Sequence, residues 1–225
     1  MALRGRFTFA PDQHIYRVGR YQVPGTTEIM RVAGRVDERY YTLTGRTRGQ
    51  VIHELSEGLD LGLLDLTKLN RKVRGWVLAY AAFVEQMHPR HDLIEAAVVH
   101  RGYGFATMVD RAGYLLGRAV WNIKTGPMHP SHAIQRAAEK LALDGRWSAR
   151  RRFTLYIRET GSFHLEEHSN EADLPDFLED LRKWRDEAHK PHLHGPIKLL
   201  QPIPQAWRPS PSPRRNSPLR PSRRA

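Results

Sequence analysis

Glu95, Asp110, Asn122 and Lys124 lie in three consecutive apolar segments, "DLIEAAVVH", "GFATMVDRAG" and "YLLGRAVWNIKTG". Each reads as a β-strand, with Gly/Arg turns between them. Side chains alternate along a strand, so Asn122 and Lys124 point to one side. If consecutive strands are neighbours, as they usually are, all four polar groups converge on one patch. His53 and Glu57 stand four residues apart on a preceding helix, share a face and can reach that patch. Two carboxylates held close together repel and need a cation between them. Hard oxygen ligands with one imidazole suit Mg²⁺ or Mn²⁺. A lysine beside such an ion can orient or deprotonate a water, or neutralise charge developing on a phosphate. The chemistry that fits is metal-assisted hydrolysis of a phosphodiester.

The elements that must position these groups follow from pattern and punctuation. "HIYRVGRYQVPG" predicts a β-hairpin about Gly19. "TTEIMRVAG" predicts a short helix with Thr26 as N-cap and Gly34 as C-cap. "TGRTRGQVIHELSEG" is a stronger helix, ending at Gly58, and "LTKLNRKVRGWVLAYAAFVEQMH" supplies another from about Lys72 to Met87. After the three strands, "SHAIQRAAEKLAL" predicts a helix capped by Ser131. "RRFTLYIRE" and "GSFHLEEHS" predict a hairpin about Gly161. "LPDFLEDLRKWRDEAHK" is an amphipathic helix with Leu174, Phe177, Leu178, Leu181 and Trp184 on one stripe. The fold class is therefore α/β, a mixed central sheet flanked by helices with an N-terminal hairpin. One domain spans residues 1–205. The remainder, 206–225, is a basic Pro/Ser/Arg-rich tail with little to bury, expected to be disordered.

With 225 residues and 40% hydrophobic content the chain can build one large core. No run approaches the ~20 apolar residues of a membrane span. The opening "MALRGRFTFAPDQH" lacks the apolar region of a signal peptide. Absence of cysteine excludes disulfides and thiolate metal sites. Together these predict a cytoplasmic protein. The net charge of +12 points to a polyanionic partner, and six arginines of the last eighteen residues supply half of it.

The run from Glu95 through "MVD" to "NIKTG" and then "HAIQ" resembles the PD-(D/E)XK nucleases, most closely the RecB-like branch of phage and prophage exonucleases. The likeness extends to "HIYRVGRYQVPGTTEIM", to "RTRGQVIHEL" and to the closing "RRFTLYIRETGSFHLEEHSNEADLPDFLEDLRKWRDE", covering most of residues 14 to 187. The resemblance implies a restriction-endonuclease-like fold and a Mg²⁺- or Mn²⁺-dependent deoxyribonuclease. It makes His53 a metal ligand, Glu95 the first core acid supporting the metal site and Asp110 the main metal-binding aspartate. Ile123 would turn a backbone carbonyl to the metal, Lys124 would be the catalytic lysine, and Gln135 would organise the site or the DNA end. It also implies exonuclease action in recombination or repair, in company with a protein partner.

Two positions depart from the family pattern. Asn122 stands where an aspartate or glutamate is usual, which removes one negative charge while keeping the shape. Glu139 stands where many members have tyrosine, at a position read as peripheral. Asn122 leaves three readings open: a degenerate site, an engineered inactivation, or a variant that recruits another ligand such as Glu57. The alternative function is accordingly a fold that holds DNA or a partner without cutting, and a third reading is action on RNA. Elsewhere, His189, His192 and His194 read as loop histidines. Arg46 and Arg48 are candidate phosphate contacts. Trp76, Tyr80 and Phe83 form a core stripe, and Gly102 and Gly104 are turn glycines.

Overall fold

The computed structural model describes residues 3–36, 43–143 and 149–188. The expected tail and the three loop histidines lie outside the described residues, as does the side chain of Arg46. Three short strands, β1 (Phe7–Ala10), β2 (Ile15–Val18) and β3 (Tyr21–Val23), pair antiparallel in chain order. Then come α1 (Thr26–Val32), α2 (Leu43–Asp60) and α3 (Arg71–Met87). The central sheet comprises β4 (Arg90–His100), β5 (Phe105–Tyr114), β6 (Arg118–Lys124), β7 (Arg151–Ile157) and β8 (Phe163–Glu167) in that spatial order. Its first three strands form an antiparallel meander. The crossover through α4 (Ser131–Leu143) brings β7 in parallel to β6, and β8 returns antiparallel. The chain then forms α5 (Asp173–Ala188).

Period-two alternation assigns the two faces of the sheet. Trp121 and Ile123 of β6, with Phe153, Leu155 and Ile157 of β7, bury against Ile52 of α2 and Val77, Tyr80 and Phe83 of α3. Val120 lies on the opposite face with Val109, Ala112 and Leu143 of α4. There Ile29 and Met30 of α1 and Phe177 and Leu181 of α5 enclose Phe105 and the Ile134–Ala138 side of α4. The N-terminal sheet docks Tyr16, Val18 and Val23 on Ala106. Its link to β5 is fixed by the Ala106 amide, which donates to the Pro24 carbonyl at 2.9 Å.

The mixed α/β architecture is as expected, with local corrections. The N-terminal hairpin gains an outer strand, Phe7–Ala10, whose Phe9 stacks on Tyr16 at 4.8 Å. Gly25 is the N-cap of α1, because the Thr26 hydroxyl donates instead to the Ala106 carbonyl. Helix α2 runs past Gly58 to Asp60; Gly62, at φ 68°, makes the turn, and the Leu63 amide closes back on the Gly58 carbonyl. Ser131 is the first residue of α4 rather than its cap, and its amide donates to His129 Nδ1.

Strand β5 also continues through "RAG", so the turn falls at Leu116 and Gly117. Gly113 is a close-approach glycine: a Cβ there would lie 1.8 Å from the Arg90 carbonyl oxygen of β4. Gly113→Ala should therefore push β4 from β5 and destabilise the fold by about 1–3 kcal/mol, read as a lowered urea midpoint.

Candidate metal centre

The ladder between β4 and β5 pairs Ile94 with Arg111 and Ala96 with Val109, which sets Glu95 opposite Asp110. Glu95 adopts φ 42°, a left-handed conformation inside a strand. Such a residue costs roughly 1–3 kcal/mol and persists only where its surroundings hold it. Alternation is reset here, because Val109 and Ala112, three apart, join the same core cluster. Pairing of β5 with β6 stops at Arg111 and Trp121, whereas β6 stays paired with β7 as far as Lys124. The strands part just beyond Arg111. The Ile123 amide donates to Asp110 Oδ2 at 2.9 Å, and Asp110 is almost wholly buried.

Helix α2 brings His53 over this gap. Its Nδ1 lies 3.1 Å from Glu95 Oε1 and 3.5 Å from Asp110 Oδ2, and its Nε2 lies 3.2 Å from the Ile123 carbonyl oxygen. Ligand atoms of His53, Glu95 and Asp110 all fall within 4.8 Å of one another. Burial acts to lower the His53 pKa, but Asp110 and Glu95 outweigh it and the pKa is raised. An acceptor oxygen faces each nitrogen, so the imidazolium form can donate from both. A proton and a divalent ion are alternatives at such a ring. From the α4 side of β6, the buried Asn122 leaves Oδ1 with no hydrogen-bond partner among the described residues. An imidazole, two carboxylates and an orphaned amide oxygen fit a hard divalent cation.

A second layer was not foreseen. Arg111, fully buried, reaches Glu95 Oε1 at 2.7 Å through Nη1 and Asp60 Oδ2 at 2.6 Å through Nε. The Tyr80 hydroxyl also donates to Asp60, at 2.8 Å. Arg111 thus fixes Glu95 and neutralises part of its charge. Its place beside Asp110 in a strand predicted the opposite face; the reset alternation brings it round. On α4, Arg136 Nη2 donates to Glu139 Oε1, and both side chains are 0% exposed. Glu139 is therefore interior, not peripheral. Burial pushes its carboxyl up to about 8 against the lowering pull of Arg136, with Asp110 adding to the rise.

Lys124 closes the β6 side. Burial lowers its amine first, and nearby Arg136 adds to the effect, against Asp110, Glu139 and Glu95. A cleft of about 250 Å³ opens over the centre, lined by His53, Ile123, Lys124, Gln135 and Arg48. His132 also lines it; burial, then Lys124 and Arg136, depress its pKa to about 2, so it is neutral and receives or donates one hydrogen bond with the Tyr156 hydroxyl at 2.8 Å. A second groove of about 450 Å³ shares Arg48 and Thr125–Pro127 with the first and runs to Tyr156 and Arg158. Trp76, read as a core residue, is buried but also lines this groove, with the Arg48 guanidinium 5.1 Å from its ring. The structure thus groups His53, Glu95 and Asp110, with the Ile123 carbonyl against His53 and Lys124 and Gln135 on the wall of the cleft that His53 lines; Asn122 is buried in β6 between Trp121 and Ile123. Glu57 is not among the three grouped ligands.

Glu139 generates a test. With its folded pKa near 8 above the ordinary 4.5, it keeps its proton where the unfolded chain loses it. Its contribution to stability is complete below 4.5 and is lost as the pH rises to about 8. Glu139→Gln removes that loss. Urea midpoints of the two chains should diverge in favour of the variant as the pH rises through this window.

No protein-family profile matches the chain, and no curated protein sequence matches it. Among solved structures, LHK-Exo, an alkaline exonuclease from Laribacter hongkongensis, is similar over 72% of this chain and 86% of its own, with 13% identity and a TM-score of 0.43. Its complex with dAMP aligns over 73% and 87%, at 12% identity and 0.43. A protein from Eubacterium rectale, provisionally described as an exonuclease, aligns over 72% of this chain and 80% of its own, at 14% identity and 0.47. Likeness at this level assigns neither family nor activity.

Proposed function

We propose that this chain is a Mg²⁺- or Mn²⁺-dependent deoxyribonuclease of the PD-(D/E)XK superfamily, RecB-like, acting as an exonuclease in phage recombination or repair. The observation that carries the reading is the convergence of His53, Glu95 and Asp110 within 4.8 Å, at the point where β5 and β6 part. His53, Glu95, Asp110, the Ile123 carbonyl and the Asn122 amide oxygen would hold the ion. Bound there, the ion supplies Lewis acidity and neutralises charge on the phosphoryl oxygens. Lys124, across the cleft, orients the attacking water and holds or accepts its proton, the lowered amine pKa bringing that exchange nearer neutrality. Gln135, on the cleft wall, aligns the site or the DNA end. Arg111 keeps Glu95 in its left-handed conformation, and the Ile123 amide keeps Asp110 turned to the gap. Arg48 and Arg158 line the two grooves and give a phosphate backbone a basic path. The surroundings are a cytoplasm with a recombination partner protein.

A second reading has its own observation. Arg111 already engages Glu95, and position 122 carries an amide, so the centre is poorer in net negative charge than its residue count implies. On that reading the chain binds DNA or a partner without cutting.

A nuclease assay on labelled linear DNA with Mg²⁺ or Mn²⁺ separates the two, run on the parent chain, Asn122→Asp and Lys124→Ala, with RNA as a parallel substrate. The nuclease reading predicts that the parent cuts DNA and that Lys124→Ala loses about 10²-fold or more. Cutting by Asn122→Asp alone would establish the binding reading. Folded protein with no cutting in any arm would remove the catalytic assignment.

A further inference from the structure

We infer that Glu139 supplies, from α4, the acidic group that the metal centre lacks at Asn122. The inference rests on the metal-centre reading above and adds to it a residue that the resemblance left outside the site.

Three observations on different elements support it. Glu139 lies one turn beyond Gln135 on the inward arc of α4 and is fully buried, with Arg136 Nη2 donating to its Oε1. Its second oxygen, Oε2, is buried without a partner among the described residues, and so are Nε and Nη1 of Arg136. Asn122 Oδ1, on the strand that α4 covers, is the fourth such atom. Buried polar atoms are normally paired, so these four, on α4 and on the strand it packs against, stand ready to hold a polar group. Finally, the charges Glu139 feels after Arg136 are Asp110, Lys124 and Glu95, the members of the centre. Helix α4 packs over β4, β5 and β6, which sets the buried Glu139 against the strands that carry Glu95, Asp110 and Asn122.

The physical need is plain. Glu95 shares its charge with Arg111 and Asp60 is spent on Arg111 and Tyr80, which leaves Asp110 as the carboxylate of the centre that no cationic side chain bridges at hydrogen-bond distance in the described residues, His53 aside. A buried acid on the adjoining helix restores the negative charge that an amide at 122 cannot give. A divalent charge held at the centre would favour the carboxylate form of Glu139. Arg136 holds the carboxylate in place, so Glu139 acts as a positioning and charge-supplying residue for the centre.

The test is Mn²⁺ affinity of the full chain without DNA, read by electron paramagnetic resonance of free Mn²⁺ and checked by calorimetry. The arms are the parent, Asp110→Asn, Glu139→Gln and the double variant Asn122→Asp/Glu139→Gln. Gln keeps the acceptor for Arg136, and circular dichroism establishes that each arm is folded. Asp110→Asn should abolish binding. Glu139→Gln should weaken it about tenfold or more, and the double variant should bind within about threefold of the parent, because the carboxylate has only changed places. A purely structural ion pair would not give that rescue. Parent-like affinity of Glu139→Gln, or a double variant as weak as the single, overturns the inference while leaving the metal centre standing. Equal affinity of the parent and Asp110→Asn, or no binding by the parent, overturns the metal centre and the inference with it.

Discussion

The hydrogen bond from the Ile123 amide to Asp110 Oδ2 marks the constraint on which the site depends. Strands β5 and β6 pair as far as Arg111 and Trp121 and then separate. A buried strand amide left without a partner costs about as much as a lost hydrogen bond. Asp110 meets that need with one carboxylate oxygen and thereby fixes its own orientation. The Ile123 carbonyl, on the same residue, is left to face His53. One parted ladder therefore orients an acid, a carbonyl and an imidazole together, and the core on both faces of β6 holds the parting open.

Around this point the structure balances charge in two buried layers. On the α2–α3 side, Arg111 links Glu95 to Asp60, and Tyr80 completes the set. On the α4 side, Arg136 donates to Glu139, and both act on the Lys124 amine. Each guanidinium is fully buried, and each would be strongly destabilising without its acid. Buried pairs of this kind contribute little net stability. Their effect is to hold carboxylates near one another in the interior, which a carboxylate pair alone would resist.

Much of this was legible in the sequence. The apolar strands with single polar residues at Glu95, Asp110, Asn122 and Lys124 showed their pattern because a sheet imposes period two on both faces. The amphipathic stripe of α5 and the hairpin about Gly161 were equally plain, and His53 fell on the right face of α2 by helical spacing. Arg111 was not legible, because the left-handed Glu95 and the break at Asp110 reset the alternation from which a face is inferred. Glu139 was not legible either. An Arg and a Glu three apart on a helix most often sit in water, and only the packing of α1, α4 and α5 over the sheet encloses this pair. Gly113 fell within an expected strand, but the close approach of the Arg90 carbonyl that requires a glycine there leaves no signal of its own in the sequence.

The central claim is that the parted strands create a single divalent-ion centre between α2, β4 and β5. A crystal of the parent chain soaked in Mn²⁺, with the anomalous difference map calculated at the manganese edge, tests it most directly. The account predicts one strong peak bonded to His53, Glu95 and Asp110, with the His53 contact to the Ile123 carbonyl opened to admit it. A map with no peak there, with His53 still bridging Glu95 and Ile123, or a peak held by other residues, would contradict it.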